Sequence, residues 1–309
     1  MKNKLNAELD ALLQKFVIEH VVANGGGTLS LEQLNEYIGM FEYRFKEQLK
    51  RDFGGYSSDT MSIIVSELWG GQSPVKLKKL EHDDFAEIPM FRQMELLLQI
   101  IAEKGSLKLT STKSLPVKVV KELYEVGVEE ELVKIGLQNI YKEKDSRSIM
   151  MLRAIMDLMC VVKVQKGVMT ITKNGEKLMK DRQLLLEHMV KCATTNYNQG
   201  YLDFYENENI GNIGVGYSLI LLSKYGDKKR SHRFYADKYF AAFPIILIEA
   251  RYSNKPINGT HVYSMRTWES LFYYMGLIDY EKKGFVINEE VDIMRCPIFE
   301  KLFEIQPPQ

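Results

Sequence analysis

Cysteine is scarce in this chain. Three residues in 309, Cys160, Cys192 and Cys296, lie far apart and are odd in number. That excludes a disulfide framework and fits a reducing compartment. Proline is sparse too, at 8 residues, and no biased tract of the fibrous or low-complexity kind occurs. Net charge is missing altogether, because 41 Lys and Arg balance 41 Asp and Glu. No global field therefore draws the chain to a polyanion, and any nucleic-acid contact has to come from local basic patches. A membrane-length apolar run is also lacking. The longest, Phe240 to Ile248, contains Pro244 and stops at Glu249, far short of the roughly 20 residues that span a bilayer. Glu8 and Asp10 interrupt the N-terminus where the apolar core of a signal peptide would run. The expectation is a cytoplasmic protein without membrane association.

What is present is enough to fold. Hydrophobic residues make up 45% of the chain, and domains of about 100–200 residues suggest more than one. Residues 1–75 read as a helical N-terminal unit. Leu5, Leu9, Leu12, Leu13, Phe16, Val17 and Val21 keep a helical period until Gly25-Gly26-Gly27 ends it. Ser30 with Gln33 forms the pattern of a capping box opening a second helix to about Gly39, and a third follows through Arg51. Residues 76–190 change character. A helix from Pro89 ends at Gly105, Leu107 to Thr110 alternates like a short strand, and Pro116 opens another helix. After an acidic, irregular stretch at 126–146 comes a helix from Ser148 to Met159. Two alternating runs then flank Gln165-Lys166-Gly167 as a hairpin, and a last helix spans Gly175 to about Val190. Residues 191–309 echo this order. Helices are expected at 216–224, 232–240 and 264–275. Gly276 to Tyr280, a charged turn at Glu281 to Gly284, and Phe285 to Asn288 then form a second hairpin.

Helix, short strand, helix, helix and two-stranded wing is the order of a winged helix. Val161 through Gly175, with Thr172 three residues ahead of Gly175, resembles the wing segment of winged-helix proteins, and Met275 through Ile287 resembles a weaker copy. A longer stretch resembles a family of uncharacterised bacterial proteins. It runs from Phe53-Gly54-Gly55 through Ser73-Pro74-Val75-Lys76-Leu77 and Gly105 to Thr110, and on to Leu115-Pro116-Val117-Lys118. Relatives are expected to carry a Gly-Asn turn where this chain has Lys113-Ser114. The resemblance implies a fold that is mainly α with short β-hairpins, a helical N-terminal unit plus two winged-helix-like units, and implies no activity. The segment 126–146 departs from it, since a helix-turn-helix joins its helices by three or four residues.

The candidate nucleic-acid-binding residues are Lys108, Lys113, Lys118 and Lys121 around the first strand, and Lys163, Lys166 and Lys173 around the wing. Lysines interleaved with hydroxyl side chains are the usual phosphate contacts, although the same charges also suit a plain solvated face. The helix at 147–159 is a poor base reader. Beyond Arg147 and Arg153 it offers Met151, Met156 and Met159, and it lacks the Asn, Gln and Arg set that reads base edges. Those methionines suit either a protein-recognition surface or a core. The aromatic stretch Tyr197 to Tyr205 suits either a partner surface or packing.

No enzyme emerges. Gly211-Asn212-Ile213-Gly214-Val215-Gly216 precedes a helix, but no strand leads into it and no lysine follows in the position a phosphate loop requires. His188 and Cys192 are two possible ligands, too few for a zinc site. Cys160, in an apolar run, reads as a buried, inert thiol. No acid, base or nucleophile set stands out. The expectation is a non-enzymatic protein with no metal and no cofactor. Its partner is DNA or RNA, met through the lysines, or alternatively another protein, with the same fold acting as an interaction or assembly module.

Overall fold

The computed structural model describes residues 2–205, 207–251, 257–283 and 290–308. Its contacts divide the chain into two compact units, Met1–Asp59 with the last two residues, and Thr60–Pro307.

In the first unit, α1 (Lys2–Ala23) and α2 (Leu31–Asp52) pack on each other. The turn between them uses three glycines in succession at positive φ, 93°, 73° and 123° for Gly25, Gly26 and Gly27, which side-chain-bearing residues rarely adopt. The capping box forms. The Gln33 amide N–H donates to Ser30 Oγ, and the Ser30 N–H donates to Gln33 Oε1. Gly39 does not end the helix as expected. α2 is continuous through it, because an interior glycine costs only about 1 kcal/mol and Tyr37, Ile38 and Phe41 hold the apolar stripe across it. Phe16 meets Phe41 edge-on, with ring centroids 5.5 Å apart. Among the described side chains of these two helices none is fully buried.

The second unit opens with α3 (Ser58–Ser66) and β1 (Val75–Leu77). β1 pairs antiparallel with the last strand of the chain, β8 (Phe303–Ile305), and the Gln306 N–H continues the ladder to the Pro74 carbonyl. Between them run α4 (Pro89–Lys104), β2 (Leu107–Lys108), α5 (Val117–Glu125), a short α6 (Glu131–Lys134) and α7 (Arg147–Leu158). The hairpin β3 (Val162–Gln165) and β4 (Val168–Ile171) follows, then α8 (Lys173–Leu178) and α9 (Arg182–Lys191). The three strands form one antiparallel sheet in the order β2-β4-β3. The single helix expected over 175–190 is two, because Asp181 caps a fresh start by accepting the Leu184 N–H. Core side chains come from α4 (Phe91, Met94, Leu97, Ile101), α5 (Val120, Leu123) and α7 (Ile149, Leu152, Ile155).

The order then recurs. α10 (Val215–Tyr225), β5 (Arg230–Ser231), α11 (His232–Ala242), α12 (Pro244–Arg251) and α13 (Gly259–Tyr263) lead into a π-helical stretch, Ser264–Phe272. The strands β6 (Ile278–Lys283) and β7 (Glu290–Arg295) follow, and the sheet order is β5-β7-β6. The turn into each hairpin is the same hydrogen-bonded motif. Cys160 (φ 54°) and Gly276 (φ 72°) both stand left-handed at a helix end. Cys160 N–H bonds to Asp157 O and Val161 N–H to Met156 O, while Gly276 N–H bonds to Tyr273 O and Leu277 N–H to Phe272 O. That is one Schellman ending used twice. Each hairpin then closes alike, Thr172 N–H on Val161 O and Cys296 N–H on Leu277 O. The second hairpin corrects the sequence reading. Glu281 to Lys283 belong to a strand and not to a turn, and the return strand is Glu290–Arg295. The expected strand at Phe285 to Asn288 lies outside the described residues. α14 (Ile298–Leu302) ends the helices.

Candidate functional site

The first hairpin turns through two residues. Gln165 and Val168 are paired, and Lys166 (φ 50°) and Gly167 (φ 76°) both lie in the left-handed region. That is the primed turn whose twist matches the flanking strands. Register then decides where the lysines go. Leu107, Met169 and Val164 stand in one row across the sheet, and Met169 and Leu107 face the core. Because side chains alternate, the next row, Lys108, Val168 and Gln165, faces out. So does the row of Thr170 and Lys163. Lys108, Lys163 and Lys166 therefore share the outer face and tip of one small sheet. All three are exposed, and no acidic residue occurs in any of its strands.

The other four candidates lie on other elements. Lys118 and Lys121 lie exposed on α5, where Lys118 sits 3.9 Å from Glu122, a pair worth little in solvent. Lys173 opens α8, exposed, beside Thr172, whose hydroxyl caps the helix by accepting the Gly175 N–H. A β-carbon on Gly175 would lie 2.3 Å from the Val161 carbonyl oxygen, which explains the Thr-x-x-Gly spacing of the wing segment. Lys113 is exposed at φ 60°, so it adopts the glycine-like conformation that the expected Gly-Asn turn would have supplied.

The last helix before the hairpin, α7, presents no free base-reading side chain. Ser148, Ile149, Met151, Leu152, Ile155 and Met156 are buried. With Met169 also at zero exposure, the methionines of this segment are largely core and not a recognition surface. Arg153 points Nη1 at both oxygens of Glu143, at 2.8 and 2.7 Å, and at the Lys113 carbonyl. The N-terminus of α7 is closed by Glu130. Its carboxylate accepts from the Ser146 hydroxyl (2.6 Å) and from the N–H groups of Arg147 and Ser148 (both 3.0 Å). A carboxylate at a helix start takes the place an outside anion would occupy. Both acids come from the 126–146 segment, which is therefore anchored on α7.

The glycine run before α10 is explained by packing. β-Carbons on Gly211, Gly214 and Gly216 would meet Arg266, Phe243 and Leu68 respectively, at 3.0, 2.5 and 2.3 Å. Arg266 is fully buried, and its five N–H groups reach the Asp203 carboxylate and the carbonyls of Tyr205, Asn207 and Ile210. Its signal in the sequence is a cation one helical turn from Val262 and Tyr263, on an apolar face, which demands a buried acid. The partner, 63 residues away, has no local signal. The loop so held leaves Tyr197 buried, Tyr201 exposed and Phe204 fully exposed.

Among the described residues, no group of three or more His, Cys, Asp or Glu side chains is placed to hold a metal. No helix among them is long and apolar enough to cross a membrane. Cys160 is exposed and not buried as expected, because a left-handed residue at a helix end projects outward. Burial, with Cys160 nearby, pushes the Cys192 thiol up to about 11; burial and the Asp279 carboxylate push Cys296 up to about 12. Since the thiolate is the nucleophile, iodoacetamide at about pH 8 is expected to label one thiol in the native protein and three in denaturant. Mass spectrometry reads the count, and rapid native labelling of Cys192 contradicts its burial.

Residues 86–184 match the Y4jL N-terminal domain family, an uncharacterised one, over about a third of the chain. The match starts just ahead of α4 and ends in the first turn of α9, so it frames the first helix–strand–helix–hairpin unit. No curated protein and no solved structure matches the chain significantly.

Proposed function

We propose that the chain is a non-enzymatic intracellular regulator built on two winged-helix-like units in tandem, and that it touches nucleic acid through the first wing. Two sheets of the same strand order, entered by the same helix ending, support the tandem reading. The observation that carries the function is the outer face of the first sheet, where Lys108, Lys163 and Lys166 converge without an acid in its strands. The mechanism is phosphate neutralisation with little base readout, because α7 is closed. Three unpaired thiols agree with a reducing compartment.

Fluorescence anisotropy on random-sequence duplex DNA, at about 50 and about 200 mM salt, tests this. The triple variant Lys108→Glu, Lys163→Glu, Lys166→Glu is expected to bind at least about tenfold more weakly. Its salt slope is expected to be lower by about 0.9 for each lysine that met a phosphate. No binding by the unmodified chain at the lower salt, or equal binding by the variant, sinks the reading.

A different observation favours protein assembly. α1 and α2 bury no described side chain fully, and Leu12, Ile18, Val22 and Leu31 are 53–81% exposed. An apolar surface of this kind marks association. Light scattering on the full chain distinguishes the two, since assembly predicts a mass above 35.8 kDa with no salt-sensitive binding of DNA.

A further inference from the structure

The two three-stranded sheets share a strand order and a helix ending, yet their outer faces carry opposite charge. In the second sheet, Ile278, Val291 and Ile293 are buried. Register then puts Tyr280 and Lys282 on the same inner side, because Tyr280 stands opposite Ile293 and Lys282 opposite Val291. The alternate rows face out. They are Asp279 with Met294, and Glu281 with Asp292 and Ser231. Asp279 and Glu281 are exposed, and no cation stands among the described side chains of these two rows. Lys229, just ahead of β5, offsets one carboxylate through its solvent-exposed 2.7 Å pair with Glu281. Lys282 is held on the inner side by Glu269 at 2.9 Å. The bias is already in the sequence, where 279–292 holds five acids against two lysines and 162–171 holds two lysines and no acid.

The lysine face of the first sheet has the same outline and the opposite sign. Lys108, Lys163 and Lys166 are exposed, so the acidic face of their own chain does not cover them. A basic face and an acidic face, on sheets of one design, fit each other across two copies. Opposite charges so arranged steer an encounter and fix its register. The two alternatives are forbidden, since lysine face on lysine face and acidic face on acidic face both repel. The contact is therefore head-to-tail. Each chain keeps one face open, so assembly continues past two chains unless the rotation closes a ring.

We infer that the acidic outer face of the second sheet docks on the lysine face of the first sheet in a second copy of the chain. The lysine face is the one argued above to meet nucleic acid, and on that reading the docked copy shuts a polyanion out. Self-association and phosphate contact then compete for Lys108, Lys163 and Lys166.

Light scattering on the full chain, without DNA, tests the docking. At about 20 mM salt the mean mass is expected to climb with concentration above 35.8 kDa. At about 500 mM salt, where the screening length is about 4 Å, it is expected to return to a single chain. The variant Lys108→Glu, Lys163→Glu, Lys166→Glu loses one face, and Asp279→Asn, Glu281→Gln loses most of the other. Each alone is expected to associate at least about tenfold more weakly. Mixed in equal amounts they keep one matched joint and are expected to stop at two chains. Lys118→Glu with Lys121→Glu, on α5, is expected to change nothing. A single-chain mass at low salt overturns the inference, and so does association that either variant leaves intact. A mixture of the two variants that stays monomeric, with both folded by circular dichroism, overturns it as well. So does association that persists at high salt, which is the behaviour of the apolar faces of α1 and α2. The nucleic-acid reading fails separately: assembly that excess duplex DNA leaves intact keeps the docking and removes the competitor.

Discussion

Asp203→Ala is expected to cost about 3–5 kcal/mol of folding stability, the loss typical of breaking a buried ion pair from one side. The Arg266 side chain has no exposure and that of Asp203 has 4%. Nε and Nη2 donate to the two carboxylate oxygens at 2.7 and 2.9 Å, and the other N–H groups go to backbone carbonyls of the same loop. Without Asp203, a full positive charge stays sealed in, with two donors unmet. Backbone closes round it, since β-carbons on Gly200 and Gly211 would come within 2.7 and 3.0 Å of Arg266 atoms. Burial decides the size, not distance. Lys229 and Glu281 also sit 2.7 Å apart, but at 56% and 59% exposure, and Glu281→Ala is expected to cost under about 1 kcal/mol. Urea unfolding of the two variants gives the comparison. Similar midpoints would show that the 203–266 pair is solvated in solution. A large difference would show that the loop bearing Phe204 is held rigidly from beneath.

The contrast also marks what a sequence carries. Short-range features were legible. The first hairpin announces itself through alternation, a Lys-Gly turn and the Thr172 to Gly175 spacing, all within fifteen residues. The second is displaced because a charged segment, Glu281 to Lys283, reads as a turn, whereas its pairing with Glu290 to Asp292 keeps it extended. Gly39 reads as a stop because glycine is a poor helix former, yet the stripe continues beyond it. Contacts made across the chain left no local trace. Val75 to Leu77 finds its partner at Phe303 to Ile305, and Arg266 finds Asp203, by packing that no window of sequence contains. The seven candidate lysines show the same limit. Charge counting treats them as a set, but strand register alone unites Lys108 and Lys163, and leaves Lys118 and Lys121 on α5 and Lys173 on α8.

Arg153→Ala is expected to cost about 3 kcal/mol and to leave the affinity for duplex DNA within about twofold. On the proposed winged-helix reading α7 takes the place of the helix that enters a groove, and Arg153 is one of only two arginines on it. A base-reading arginine is exposed and waits for its ligand. This one is 15% exposed and already bound to Glu143, itself 10% exposed, and to the Lys113 carbonyl. Glu143 in turn accepts the Leu115 N–H at 2.6 Å. The pair therefore fastens the loop after β2 and the 126–146 segment to one helix. Removing the guanidinium strands a buried carboxylate with one N–H and releases the left-handed turn at Lys113. Urea unfolding measures the first effect, and faster amide exchange confined to residues 110–146 reports the second. Arg153→Lys, which keeps the charge but loses the planar guanidinium and part of its reach, should fall between. A variant that keeps its stability but loses DNA affinity would reverse the assignment and return α7 to the groove. A variant that loses stability but still binds leaves the wing face as the point of contact and α7 as the post to which the inserted segment is tied.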